Sequence, residues 1–487
     1  MNSSANTSRL SSQAWGALAL IVVAQFMVLL DLSIVNVALP SIETDLSFSQ
    51  TSLQWVISAY AIPFGGFLLL GGRLADIIGR RRVFSLGVAI FTVASVLSGF
   101  AWSEGALIAF RALQGVGGAL FVPAALSLLM TTFAEGSERN LALGIWGAAS
   151  GSGAAAGVLL GGVLTSFLSW PWIFFMNAPV GVLLLMLTPR LLKESRGVVG
   201  TRHFDLAGAS SVTASLMLFV YGLTHGAEQG WTDTVTLALL GGSAVLLAAF
   251  VAIEQRAVAP LLPLRIFRVR TLAVANIVAA VVTSIAFSEF FVLTLYMQHV
   301  LGYSPLQTGA GFLAFALTIA VVSNVAQTLT TRFGPRLVLV AGLLIASAPL
   351  ASFIRLPVNG HYATDLLPAF LINATGMALC FVPMTIAGLA GVERADAGIA
   401  SGLLNTSRQV GGAVGLAVVS TIAATSQLGG GLAAKSAATN AFQSAFVVLT
   451  GLALAGAVIS AVFLVPHKAL DAEEEQFALA ELAEEAA

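Results

Sequence analysis

Fourteen times between residues 14 and 464 the chain runs for some twenty residues with little or no charge. A water-soluble domain has too little interior for so many apolar runs, whereas about 20 apolar residues are what a helix needs to cross a bilayer. Inside lipid every backbone N–H and C=O must be satisfied within the protein, which leaves helices or closed barrels. Barrel strands are about ten residues long and alternate in polarity; these runs are longer and rich in Ala, Leu and Val. The composition agrees, with 57% apolar and 9% charged residues. The expected fold is an all-α membrane protein of fourteen transmembrane helices.

The remaining charges set the topology. With the N-terminus cytoplasmic, 18 of the 22 Lys and Arg fall on inner loops and tails, and the outer loops hold Arg355 and Lys435. That bias favours an even number of spans with both termini inside. Residues 1–13 carry only Arg9, and the next run contains Asp31 and is too long for a signal-peptide core, so the first helix is expected to persist. The single cysteine, Cys380, lies within a span and leaves no partner for an intrachain disulfide.

An internal repeat runs at an offset of 255: Gly79, Arg81, Val83 and Gly87 map onto Gly334, Arg336, Val338 and Gly342, and Gly147 and Gly157 onto Gly402 and Gly412. The first six spans then superimpose on the last six, the sequence mark of secondary transporters whose halves rock about a central site. The reading divides the chain into a cytoplasmic segment 1–13, a six-helix bundle 14–190, an inserted two-helix region 191–270, a second six-helix bundle 271–465 and an acidic tail 466–487.

Four motifs carry chemistry. A glycine ladder, Gly144, Gly153, Gly157, Gly161 and Gly162, leaves one face of the fifth span nearly bare backbone, so that another helix can approach closely. The loop GGRLADIIGRRRVF between spans two and three holds Gly72, Leu74, Asp76, Gly79, Arg80 and Arg81. The first span carries Asp31 with Asn36, Pro40 and Ile42, and the fourth carries Arg111 with Gln114, Gly115 and Gly118. Together these segments resemble the major facilitator superfamily, and within it the fourteen-span drug:proton antiporters. WPWIFFMNAPVG at 170–181 and GLLNTSRQVGGAVG at 402–415 extend the resemblance over nearly the whole chain. The chain departs at Val158 and Pro171, where the family usually has proline and arginine.

The resemblance implies roles for these residues. Gly72, Asp76, Gly79, Arg80 and Arg81 would form a latch on the cytoplasmic side. Charges within spans are rare and default to function. Helix rise of ~1.5 Å per residue places Asp31 and Arg111 at similar depth, so they are expected to pair, either coupling protonation to transport or as a static ion pair that fixes packing. Glu289 in the ninth span is a second intramembrane carboxylate. It sits among Phe287, Phe290, Phe291 and Tyr296, where desolvation favours its uncharged form; it joins Asp31 and Arg111 as an expected proton-coupling residue. Gln54, Trp55, Tyr60, Gln114, Phe290 and Tyr296 are expected to line the substrate cavity, and Arg408 is expected to be structural.

A nucleotide-driven pump needs a phosphate loop ending Gly-Lys-Ser/Thr, and glycine precedes none of the three lysines, Lys193, Lys435 and Lys468. No metal-ligand or nucleophile–base cluster suggests an enzyme. The reading is a proton-coupled exporter of drugs, antibiotics or other amphiphilic, often cationic, compounds across the cytoplasmic membrane. Its rivals are a dedicated exporter of one metabolite, an importer and a non-transporting membrane protein. The expected partners are the small-molecule substrate, protons and the lipid bilayer; no cofactor, metal or nucleic acid is expected, and no oligomer is required.

Overall fold

The computed structural model describes residues 12–133, 137–196, 205–257, 260, 262, 264–389, 392, 397–424 and 432–464. Among them stand fourteen long helices, one for each apolar run. The first six are α1 (Ser12–Leu46), α2 (Trp55–Ile78), α3 (Arg80–Gly99), α4 (Glu104–Thr132), α5 (Ser137–Phe167) and α6 (Asn177–Leu191). Two more, α7 (Leu206–Gln229) and α8 (Thr234–Glu254), precede α9 (Arg270–Leu295), α10 (Pro305–Phe333) and α11 (Pro335–Phe353). The last are α12 (Leu367–Leu389), α13 (Ala397–Ala424) and α14 (Leu432–Phe463). Among the described residues, ten helices are long and apolar enough to cross a membrane, and α2, α5 and α7 carry shorter apolar stretches. The acidic tail and residues 1–11 lie outside the described residues.

Local chemistry sets the helix ends. Ser304 caps α10 by accepting from Gln307 N at 3.2 Å, the Gln307 side chain accepts from Ser304 N at 2.9 Å, and Pro305 occupies the first turn. Asp233 caps α8, accepting from Val235 N at 2.8 Å, and Asp205 caps α7, accepting from Gly208 N at 2.7 Å. These side chains satisfy donors that a helix start leaves open. The α2–α3 and α10–α11 junctions each turn on one residue, Gly79 (φ 128°) and Gly334 (φ 80°). Residues with a Cβ rarely adopt such angles. Gly79 and Gly334 are also partners under the 255-residue repeat.

The packing repeats as the sequence does. In the first half α1 lies on α5 and α6, α4 on α2 and α3, and α3 on α6. The same pattern recurs eight helices later, with α9 on α13 and α14, α12 on α10 and α11, and α11 on α14. These are two six-helix bundles. They meet along two seams, α5 against α10 and α2 against α13, which the repeat exchanges with one another. The inserted pair is α7 and α8. Helix α7 rests on α2 and α13 and donates from Thr213 Oγ1 to Gly66 O at 3.1 Å; α8 packs on α7.

At the end predicted to face outward the halves touch directly. Gln298 Nε2 donates to Val37 O at 2.9 Å, Leu306 N donates to Ser166 Oγ at 3.0 Å, and His299 Nε2 stands 3.4 Å from Glu43 Oε2. A Cβ on Gly162 would come within 2.8 Å of Pro305 O. That end of the bundle is closed.

Candidate functional site

Gly153, Gly157 and Gly161 of the α5 ladder face α1, and Gly162 faces α10. A Cβ on Gly157 would lie 2.6 Å from Leu30 O, and one on Gly161 2.7 Å from Ile34 O, so the two backbones approach as only glycine permits. The face of α1 held this way belongs to the helix that carries Asp31. A Cβ on Gly153 would lie 3.0 Å from Phe26 O, whereas the surroundings of Gly144 lie outside the described residues. The repeat places the same contact between α9 and α13, where a Cβ on Gly415 would lie 2.7 Å from Ser284 Cα.

Asp31 and Arg111 are joined, as their depths predict. Arg111 Nη1 donates to Asp31 Oδ2 at 2.6 Å and to Gln114 Oε1 at 2.8 Å, and Arg111 Nε donates to Val56 O at 3.0 Å. Gln114 Nε2 and Asn177 Nδ2 both donate to Asp31 Oδ1, at 2.9 and 2.8 Å. The Tyr60 ring lies 4.5 Å from the guanidinium carbon. All five side chains are buried. Each charged oxygen of Asp31 has a donor, and the donors come from α4 and α6. The ion pair and its hydrogen bonds stand in for the water that these groups lose on burial. Sequence reading found Asn177 only as part of a motif. It also missed Ser95, which accepts from Asn177 at 3.0 Å.

The remaining residues expected near this cavity are distributed as follows. Gln54 is fully buried, with neither end of its amide hydrogen-bonded. Trp55 turns toward the inserted pair, its ring 5.7 Å from that of Tyr221 on α7. Tyr296, beyond the end of α9, donates its hydroxyl to Pro357 O at 2.6 Å.

In the second half Glu289 is 1% exposed, and neither carboxyl oxygen has a hydrogen-bond partner. Its polar neighbour is Asn373 of α12, also buried, whose amide likewise makes no hydrogen bond. Rings from three helices adjoin: Phe290 stacks on Phe312 at 4.7 Å, and Phe312 stacks on Phe370 at 5.5 Å. Arg408 of α13 is set against α9 by its carbonyl, which accepts from Thr283 Oγ1 at 2.7 Å, and its guanidinium lies 5.5 Å from the Phe381 ring.

At the opposite end of the first half, the residues expected to form the latch close on the chain that leaves α6. Arg80 N donates to Ser195 O at 2.9 Å and Arg81 N to Glu194 Oε1 at 3.1 Å. The Arg81 and Arg82 side chains stand 3.8 and 3.7 Å from Glu194 Oε2. Gly79 is pressed on the same carboxylate, since a Cβ there would lie 2.6 Å from Oε1. Gly72 is set against Pro123 of α4. The side chain of Asp76 lies outside the described residues. Glu194 escaped the sequence reading because it stood in a basic linker as one more solvated charge.

Comparison with known proteins agrees with this geometry. Residues 21–416 match the family described as Major Facilitator Superfamily. The chain is 42% identical over 411 residues to a puromycin resistance protein of Streptomyces alboniger, covering 84% of this chain and 81% of that protein. It is 40% identical over 455 residues to a cephamycin export protein of Amycolatopsis lactamdurans, covering 93% of each. Among solved structures, a bacterial homologue of the human lysosomal transporter Spinster, inward-facing and unoccupied, superimposes with a TM-score of 0.67 at 17% identity. That match covers 93% of this chain and 97% of the other.

Proposed function

The chain belongs to the Major Facilitator Superfamily, and from that premise we propose that it is a proton-coupled exporter of drug-like amphiphilic, often cationic, molecules. It would act by alternating access in the cytoplasmic membrane, with both termini inside and a single copy sufficing. Relatives named for puromycin resistance and cephamycin export support the substrate class. One observation carries the mechanism: the helix bearing Asp31 lies in backbone contact with α5, and α5 reaches across the seam to α10 through Gly162. The helix bearing Glu289, α9, lies on α13 in the same way, and α13 meets α2 across the other seam, so a change of charge at either carboxylate acts on helices that join the halves. Glycine surfaces let such helices slide, because no side chains interlock.

Energetically, one proton moving down 100 mV supplies ~2.3 kcal/mol, enough for more than a tenfold substrate gradient, which costs ~1.4 kcal/mol. The outer contacts at Gln298, His299 and Leu306 would open when the transporter faces outward.

The test uses inside-out vesicles acidified by respiration, with a pH-sensitive dye and a panel of puromycin, a cephamycin, ethidium and tetraphenylphosphonium. A compound that dissipates the gradient in vesicles holding the protein, and not in empty ones, establishes antiport. Silence toward the whole panel would remove the drug-exporter reading and favour a dedicated exporter of one compound.

A further inference from the structure

Among the described residues each half buries one carboxylate, and the two are treated oppositely. Both oxygens of Asp31 are occupied, one by Arg111 and the other by Gln114 and Asn177. Neither oxygen of Glu289 is occupied, and Glu289 forms no ion pair among the described residues. The repeat offset makes Glu289 the counterpart of Ile34, about one helical turn from Asp31. The two acids therefore sit at comparable depth.

Among the described residues no positive charge pairs with Glu289. From α13 comes Arg408, whose guanidinium lies against the Phe381 ring. From α14 comes Lys435, whose ammonium donates to Val300 O at 2.7 Å. From α1 come Asp31, neutralised by Arg111, and Glu43, which faces His299 just past the end of α9. Helix α12 has no charged residue between 367 and 389. Arg265, Arg268 and Arg270 stand at the far end of α9, and Arg270 is roughly 28 Å from Glu289 at ~1.5 Å per residue.

An ionised carboxylate without a partner is strongly disfavoured in such a site. Asn373 of α12 is the polar neighbour of Glu289, and its amide N–H can donate to either form of the acid. We propose that Glu289, the buried carboxylate with no hydrogen-bond partner, is the group that takes up and releases the exchanged proton, while Asp31 anchors Arg111. This assignment rests on the reading of the chain as a proton-coupled transporter.

Dicyclohexylcarbodiimide attacks protonated carboxyl groups in apolar surroundings, and it needs no substrate. The purified protein is treated with it from about pH 6 to about pH 9, a range above the ordinary carboxylate values, and adducts are located by peptide mass spectrometry. The expected result is an adduct at Glu289 that declines as pH rises, with none at Asp31; Glu289→Gln removes it, and Asn373→Ala moves the pH at which it declines. An adduct on Asp31 in place of Glu289, or none on Glu289 at any pH, overturns the assignment. Should Glu289→Gln fail to fold, the wild-type map alone decides. Vesicles silent toward every compound, with Glu289 still labelled, would sink the drug-exporter reading and leave the assignment of Glu289 standing.

Discussion

At the scale of single residues, the Asp31–Arg111 network behaves as one unit. Arg111→Ala leaves a buried carboxylate with two amide donors and no cation, and breaking a buried pair costs about 3–5 kcal/mol. Asp31→Asn leaves the guanidinium uncompensated in the same way. The double variant Asp31→Asn/Arg111→Gln should therefore lose less stability than the two single losses added together, a coupling read from thermal unfolding of the purified proteins. Strict additivity would mean that the pair is not energetically linked. Glu194→Gln belongs to another regime: its ion pairs with Arg81 and Arg82 are long and partly exposed, so stability should change by less than about 1 kcal/mol. Its expected effect is a slower rate of substrate-driven proton flux in vesicles, and an unchanged rate would remove the latch from the transport cycle. The sequence made the first pair legible because charged residues inside apolar runs are few and helix rise fixes their depth. It hid Asn177 and Glu194, whose partners lie 146 and 113 positions away. It hid Asn373 because one amide in an apolar helix carries no sign of what it faces.

At the scale of helices, glycine reverses its usual meaning. Replacing an interior helical glycine by alanine is normally favourable by ~1 kcal/mol. Here a methyl on Gly157 would press on the Leu30 carbonyl, and one on Gly415 on Ser284. Gly157→Ala and Gly415→Ala should each lower the melting temperature, while Gly105→Ala, which meets nothing within 4 Å, should not. If all three variants melt alike, the close approach of α1 to α5 is not a constraint. The sequence showed that this face was bare; it could not show that α1 was the helix that covers it, because spacing describes one surface and not its partner. The helices themselves were legible because lipid admits few alternatives to them.

At the scale of the whole molecule, cross-half contacts close the end expected to face outward, as one state of the proposed cycle requires. Ser166 and Leu306 meet across the α5–α10 seam. In a background carrying Cys380→Ser, Ser166→Cys with Leu306→Cys should form a disulfide under mild oxidation and stop flux, and reduction should restore it. Persistent flux in the fully cross-linked protein would show that the seam does not open there. The second seam is built differently. Ile62 of α2, Val220 of α7 and Ala413 of α13 form one apolar cluster, and Thr213 of α7 is hydrogen-bonded to the backbone of α2. For a solute dissolved among the acyl chains the two flanks of the molecule are then not equivalent: one is shuttered by a helix that belongs to neither bundle, and the bilayer meets the paired bundles themselves at the other.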